Sequence, residues 1–174
     1  MGTRNKNIVT LRNATPRDGE AINRLCVEAY AEFRTIIGES NWQQLSKTLS
    51  GTSRLISEGQ LIVAEDEAGP VGVVLYHSYS HSDNAGGSVN SASMRTLAVS
   101  PANRGRGIGR MLTQQCIDRA RNEGAEEITL TTAEIMTVAR PMYERMGFVK
   151  QKELGERFGV KHARYVLTLK QDSR

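Results

Sequence analysis

Apolar residues along this chain follow two rhythms. Steps of three and four residues mark helices, while steps of two, or short unbroken apolar runs, mark strands. Ile8 to Arg12 reads as a short first strand. Thr15, Pro16 and Asp18 predict a helix start, with threonine as cap, proline at the first helical position and aspartate placed to reach back. That helix gathers Ala21, Ile22, Leu25, Cys26, Ala29, Tyr30 and Phe33 on one face and leaves Arg24 and Glu28 to water. A second helical region runs from Trp42 to Ile56. Leu61 to Glu65 and Val71 to Tyr76 flank the turn residues Asp66, Gly69 and Pro70, the pattern of an antiparallel hairpin. Ser78 to Ser93, rich in Ser, Gly and Asn, predicts a surface connection, and Met94 to Val99 the next strand. The clearest helix lies between Arg106 and Asn122, with Ile108, Met111, Leu112, Cys116, Ile117 and Ala120 on one face and Gly124 as its stop. Ile128 to Thr132 reads as a strand and Val138 to Met146 as a short helix closed by Gly147. From Phe148 onward the chain returns to strand, with Ala163, Tyr165, Leu167 and Leu169 turned to one face.

Helices and strands alternate without an internal repeat, which predicts one domain across residues 1–174 with frayed ends at 1–7 and 171–174. Hydrophobic residues make up 39% and charged residues 24%, enough to fill a core and solvate a surface. No run approaches the roughly 20 apolar residues of a membrane span, and the polar start lacks an export signal, so a cytoplasmic protein with no membrane partner is expected. Cys26 and Cys116 sit in apolar helical faces and are assigned to packing. His77 and His81 would lie about 13 Å apart on an extended strand, too far to share an ion, so no metal is expected. The net charge of +4 suits an anionic ligand. No interleaving of arginines with aromatics points to nucleic acid.

The chemistry concentrates where the strand ending Leu97, Ala98, Val99 passes through Arg104, Gly105, Arg106, Gly107, Ile108, Gly109 and Arg110 into the clearest helix. A helix N-terminus presents unpaired N–H groups and a partial positive charge, and glycines let a phosphate approach the backbone. The arginines add charge that a mere turn does not need. Two other glycine loops are set aside. Arg110 and Met111 follow the last glycine where a Walker loop needs Lys and then Ser or Thr, and glycines spaced two by two do not match the dinucleotide fingerprint.

The order Arg104-x-x-Gly107-x-Gly109 after Leu97-Ala98-Val99 resembles the acyl-CoA signature of the GCN5-related N-acetyltransferase (GNAT) superfamily. The later segment from Ala139 through Tyr143 to Gly147-Phe148 is similar to that superfamily's next helix. The resemblance implies an α/β (α+β) domain whose central, mainly antiparallel mixed sheet contains a parallel splayed strand pair, Leu97 to Val99 beside Ile128 to Thr132, flanked by about four helices. It implies acetyl-CoA as co-substrate and direct transfer of the acetyl group to a primary amine through a tetrahedral intermediate. The acceptor class is a small molecule, an amino acid or a peptide. Leu97, Ala98 and Val99 would line the pantetheine arm, with the Val99 N–H receiving the oxyanion. Residues 104–110 would hold the pyrophosphate. Tyr143 would face the sulfur as acid. A phenol near pKa 10 gives its proton uphill to a thiolate near 8.5, so a hydrogen bond is the more economical role. Glu134, just past a strand, is a base candidate, as are His81 and Asp83 in the Ser-rich connection. Ser93 stands where many relatives carry glutamate, and Met136 where asparagine is common. By the same resemblance Tyr30 and Phe33, with Trp42, Ile36 and Ile37, would line the acceptor pocket, and a homodimer follows family habit. Two rival functions are acetylation of protein N-termini and acyl-CoA sensing without turnover.

Overall fold

The computed structural model describes residues 8–78 and 90–169. The expected frayed ends and the base candidates His81 and Asp83 lie outside the described residues. Seven strands form one sheet in the order β1-β2-β3-β4-β5-β7-β6: β1 Thr10–Asn13, β2 Gln60–Asp66, β3 Gly69–His77, β4 Ser91–Val99, β5 Glu127–Ala133, β6 Val149–Arg157 and β7 Val160–Thr168. Every neighbouring pair is antiparallel except β4 with β5. The helices are α1 Gly19–Tyr30, α2 Arg34–Ile37, α3 Glu39–Leu49, α4 Ile108–Asn122 and α5 Ala139–Arg145.

β2 and β3 read as unbroken apolar runs because both of their faces are buried. Leu61, Val63, Val73 and Leu75 turn to α1, where they meet Ile22, Leu25 and Cys26. Their alternates Ile62, Val74 and Tyr76 turn to the opposite face, where Ile108, Leu112, Cys116 and Ile117 of α4 cover them. Gly72 permits the close approach of α4: a Cβ there would stand 2.8 Å from a methyl of Ile108. Since Gly72 is opposite Val99, the first turn of α4 is set down beside the end of β4.

The parallel pair is short. Ser91, Ala92, Ser93 and Met94 pair with Glu127, Ile128, Thr129 and Leu130, and there the pairing stops. Beyond it β4 runs on to Val99 and β5 to Ala133 with an open wedge between them. A bulge in β4 accompanies the divergence. Val73 pairs with Ala98 but Leu75 with Arg95, so three steps on β4 match two on β3, and Thr96 takes φ +54°. An extra residue bends a strand and increases its twist.

Several boundaries differ from the reading of the sequence. β4 begins at Ser91, three residues before Met94, because small residues with weak strand preference are held by pairing to β5, with Ser93 paired also to His77 of β3. The helical region expected from Trp42 to Ile56 starts at Glu39 and ends at Leu49, and a 3-10 segment follows at Thr52–Ser57. The helix expected to start at Pro16 opens with a 3-10 turn at Pro16–Asp18, capped by Thr15 as expected, and α1 follows from Gly19. The Asp18 carboxylate accepts the Thr15 N–H at 2.7 Å, and Arg12 of β1 joins that carboxylate to Glu65 of β2.

Candidate active site

The open wedge offers backbone groups with a defined direction. The Ser100 N–H donates to the Val71 carbonyl, and the register makes Ala98 and Val73 the next hydrogen-bonded pair. Val99 lies between them, so its N–H points away from β3, across the wedge towards β5. The Leu97 carbonyl, opposite the Ala98 N–H across its peptide, also points away from β3 and accepts from the Tyr30 hydroxyl at 2.9 Å. At the mouth of the wedge stands the N-terminus of α4. Gly105 and Gly107 take φ +77° and +75°, which glycine adopts without strain, and a Cβ on either would meet nothing within 4 Å. No side chain caps this helix, and its first backbone bond runs from the Met111 N–H to the Gly107 carbonyl, so the helical ladder leaves the amides of Ile108, Gly109 and Arg110 without an acceptor within the helix. Uncapped amides and open space beside two glycines fit a pyrophosphate, and the outward Val99 N–H fits a carbonyl oxygen of the attached arm.

The three arginines of the turn have different duties. Arg104 donates to the Ala29 carbonyl at 2.8 Å and pairs with Glu32 at 2.9 Å, clamping the turn to the end of α1. Arg106 pairs with Asp66 and donates to Asn103. Arg110 is exposed and makes no hydrogen bond or ion pair among the described residues.

Tyr143 of α5 is buried, and its ring meets Phe148 edge to face at 5.8 Å. Burial pushes its phenol above the ordinary tyrosine value, with smaller contributions from Tyr30 and Cys116, so the hydroxyl keeps its proton. Its neighbour Met142 places its sulfur 3.7 Å from the position of a Cβ on Gly109, where Leu97 and Val99 also converge. β4, α4 and α5 therefore meet at this point. Cys26 and Cys116 are buried, and burial raises their thiols to about 11 and about 12, as packing residues require.

Beside the wedge lies a groove of about 590 Å³ between the end of α1 and the β5–α5 connection, lined by Glu32, Phe33, Ile36, Glu134, Ile135, Thr137 and Arg140. A second groove of about 240 Å³ shares Glu134 and Arg140 with the first and adds Lys150, Lys161 and His162. Phe33 and Glu134 thus fall together in one groove. Tyr30 does not line it; its ring lies edge-on to Phe33 at 6.1 Å while its hydroxyl is committed to Leu97. Ile37, Trp42 and Met136 belong to a small cluster with Ala133 and Val160. Glu32 and Arg140 escaped the sequence reading because an acid after a helix and an arginine in an exposed-looking motif carry no local mark of a groove.

Residues 23–148 match the acetyltransferase (GNAT) family profile. The chain belongs to the GNAT acetyltransferase family. N-alpha-acetyltransferase 30 of Schizosaccharomyces pombe is 40% identical over 73 residues, which cover 41% of this chain and 49% of that relative. The matched stretch spans about half of that protein. Among solved structures, yncA of Salmonella typhimurium, with acetyl-CoA, superposes with a TM-score of 0.69 at 19% identity over 97% of this chain and 98% of its own. Ard1 of Thermoplasma volcanium gives 0.71 at 18% over 94% and 99%. PaiA of Thermoplasma acidophilum, in complex with coenzyme A, gives 0.71 at 15% over 90% and 98%. At these identities the likeness is one of fold, and it includes the mixed sheet with a parallel pair described above. A GNAT enzyme draws its acetyl group from acetyl-CoA. No cluster of three metal-ligating side chains occurs among the described residues, and no helix there is long and apolar enough to cross a membrane.

Proposed function

We infer that this enzyme transfers the acetyl group of acetyl-CoA to a primary amine of a small molecule, an amino acid or a peptide. The observation that carries this reading is the meeting of the uncapped, glycine-opened N-terminus of α4 with the outward Val99 N–H of β4, with α5, which bears the buried Tyr143, packed against both through Met142. The amides of residues 104–110 and the Arg110 side chain hold the pyrophosphate, and the Leu97–Val99 edge receives the pantetheine arm. The amine nitrogen attacks the thioester carbonyl carbon. The carbonyl oxygen gains charge as the tetrahedral intermediate forms, and the Val99 N–H stabilises it. Collapse breaks the carbon–sulfur bond. Tyr143, kept protonated by burial, donates a hydrogen bond to the leaving sulfur without giving up its proton. Glu134, exposed in the groove, takes the amine's proton directly or through water.

Calorimetric titration with acetyl-CoA, followed by thiol release across a panel of amines and peptides, tests the reading. Binding with turnover supports it, and binding without turnover of any amine supports the sensor alternative. Gly107→Glu puts a negative charge and a side chain at a positive-φ position in the phosphate path and should abolish binding. Unchanged affinity in that variant would remove the turn from the site. A second reading, acetylation of a protein N-terminus, is favoured by the partial likeness to N-alpha-acetyltransferase 30, and peptides with free N-termini in the same panel address it.

A further inference from the structure

The acceptor groove holds two opposite charges that do not neutralise each other. Glu134 and Arg140 both line it, and no hydrogen bond or ion pair joins them. The other acid of the groove, Glu32, is engaged by Arg104 at 2.9 Å. Arg140 is half-buried and has no carboxylate partner among the described residues, although burying part of a guanidinium favours pairing it. Phe33, Ile36 and Ile135 supply an apolar wall, with Ile36 62% exposed. A volume of about 590 Å³ is of small-molecule size. Side chains link the groove to the wedge: Phe33 abuts Tyr30, and Tyr30 holds the Leu97 carbonyl.

We propose that the acceptor is a zwitterion, a free amino acid with an apolar side chain, whose carboxylate is gripped by Arg140 while its ammonium lies by Glu134. A planar guanidinium matches a carboxylate in two parallel hydrogen bonds, which lysine does not reproduce. The apolar wall takes the side chain. The ammonium beside Glu134 gives one proton to that carboxylate before attack, and the nitrogen of the tetrahedral intermediate gives the second to water as the thiolate leaves. This specificity rests on the function inferred above and narrows its acceptor class.

The test pairs leucine with leucinamide, which keeps the amine and side chain but lacks the carboxylate. Arg140→Gln should lower the leucine-to-leucinamide ratio of kcat/KM about tenfold to a hundredfold from its wild-type value, the range expected when a charged hydrogen-bonded partner is lost, with the KM for acetyl-CoA within about twofold, and Arg140→Lys should restore part of it. Comparing ratios between variants cancels the different basicities of the two amines. A ratio unmoved by Arg140→Gln, or turnover of peptides alone, would overturn the proposal. So would a large loss of acetyl-CoA affinity in Arg140→Gln, which would place that residue in the donor site. Failure of the wild-type protein to bind acetyl-CoA at all would instead sink the inferred function, so the two failures are read in different measurements.

Discussion

Two tyrosines show how position divides the work of one side-chain type. Tyr30, expected to line the acceptor pocket, spends its hydroxyl on the Leu97 carbonyl and so braces that strand edge. Tyr143 has no such bond among the described residues, and its phenol is raised by burial. A raised phenol is a poorer acid but remains a hydrogen-bond donor to a higher pH. Tyr143→Phe should therefore lower kcat about tenfold to a hundredfold by removing one donor to the departing sulfur, while calorimetry shows acetyl-CoA affinity within about threefold of wild type. The pH profile carries an independent sign. Because the folded-state value is raised, the phenol stays protonated throughout the working range, so kcat should show no alkaline fall below about pH 10 that Tyr143→Phe removes. Such a fall, present in wild type and absent in the variant, would mean that the hydroxyl titrates in the working range.

At the scale of elements, Arg12 ties together β1, the start of α1 and β2. Its guanidinium bonds both oxygens of Asp18 at 2.8 Å and both of Glu65 at 2.9 Å. The Arg12 partner pulls the Asp18 carboxyl down from 3.8 to about 2. A depressed carboxyl stabilises the fold above its unfolded value, and that contribution fades as pH falls through the folded value. Asp18→Asn should thus cost on the order of 1–2 kcal/mol at pH 7, the shift discounted because Arg12 is partly exposed, and the gap to wild type in urea titrations should close between about pH 4 and pH 2. A gap that persists at pH 2 would assign the loss to packing. The capping arrangement behind this pair was legible in the sequence, as were the hairpin of β2 and β3, α4 and the glycine turn, because each is written in local periodicity or turn chemistry. What was not legible depends on distant partners. Ser91 to Ser93 become strand through pairing with β5 and, at Ser93, with β3. Nothing local says that Arg104 will turn to Ala29 and Glu32, or Arg106 to Asp66.

Across the whole molecule, the two parts of the sheet, β1 to β4 and β5 to β7, are paired along only four residues of each central strand. Below that seam the register is ordinary; above it the wedge leaves unpaired backbone that water must solvate when no ligand lies there. The bulge at Thr96 marks the turn from one regime to the other. Adjacent amides on β4 should therefore behave oppositely. The register bonds the Ala98 N–H to Val73 on β3, so it is protected in the free enzyme, whereas the Val99 N–H faces the wedge and should exchange fast. If the pantetheine arm pairs with this edge, saturating acetyl-CoA should slow exchange at Val99 at least about tenfold and change Ala98 little. Residue-resolved hydrogen exchange reads both amides in one sample. A ligand that raised protection equally at both sites would be stabilising the fold as a whole by mass action. A difference confined to Val99 would instead report a new strand-like contact in the wedge, placing the thioester at the amide assigned to its oxyanion.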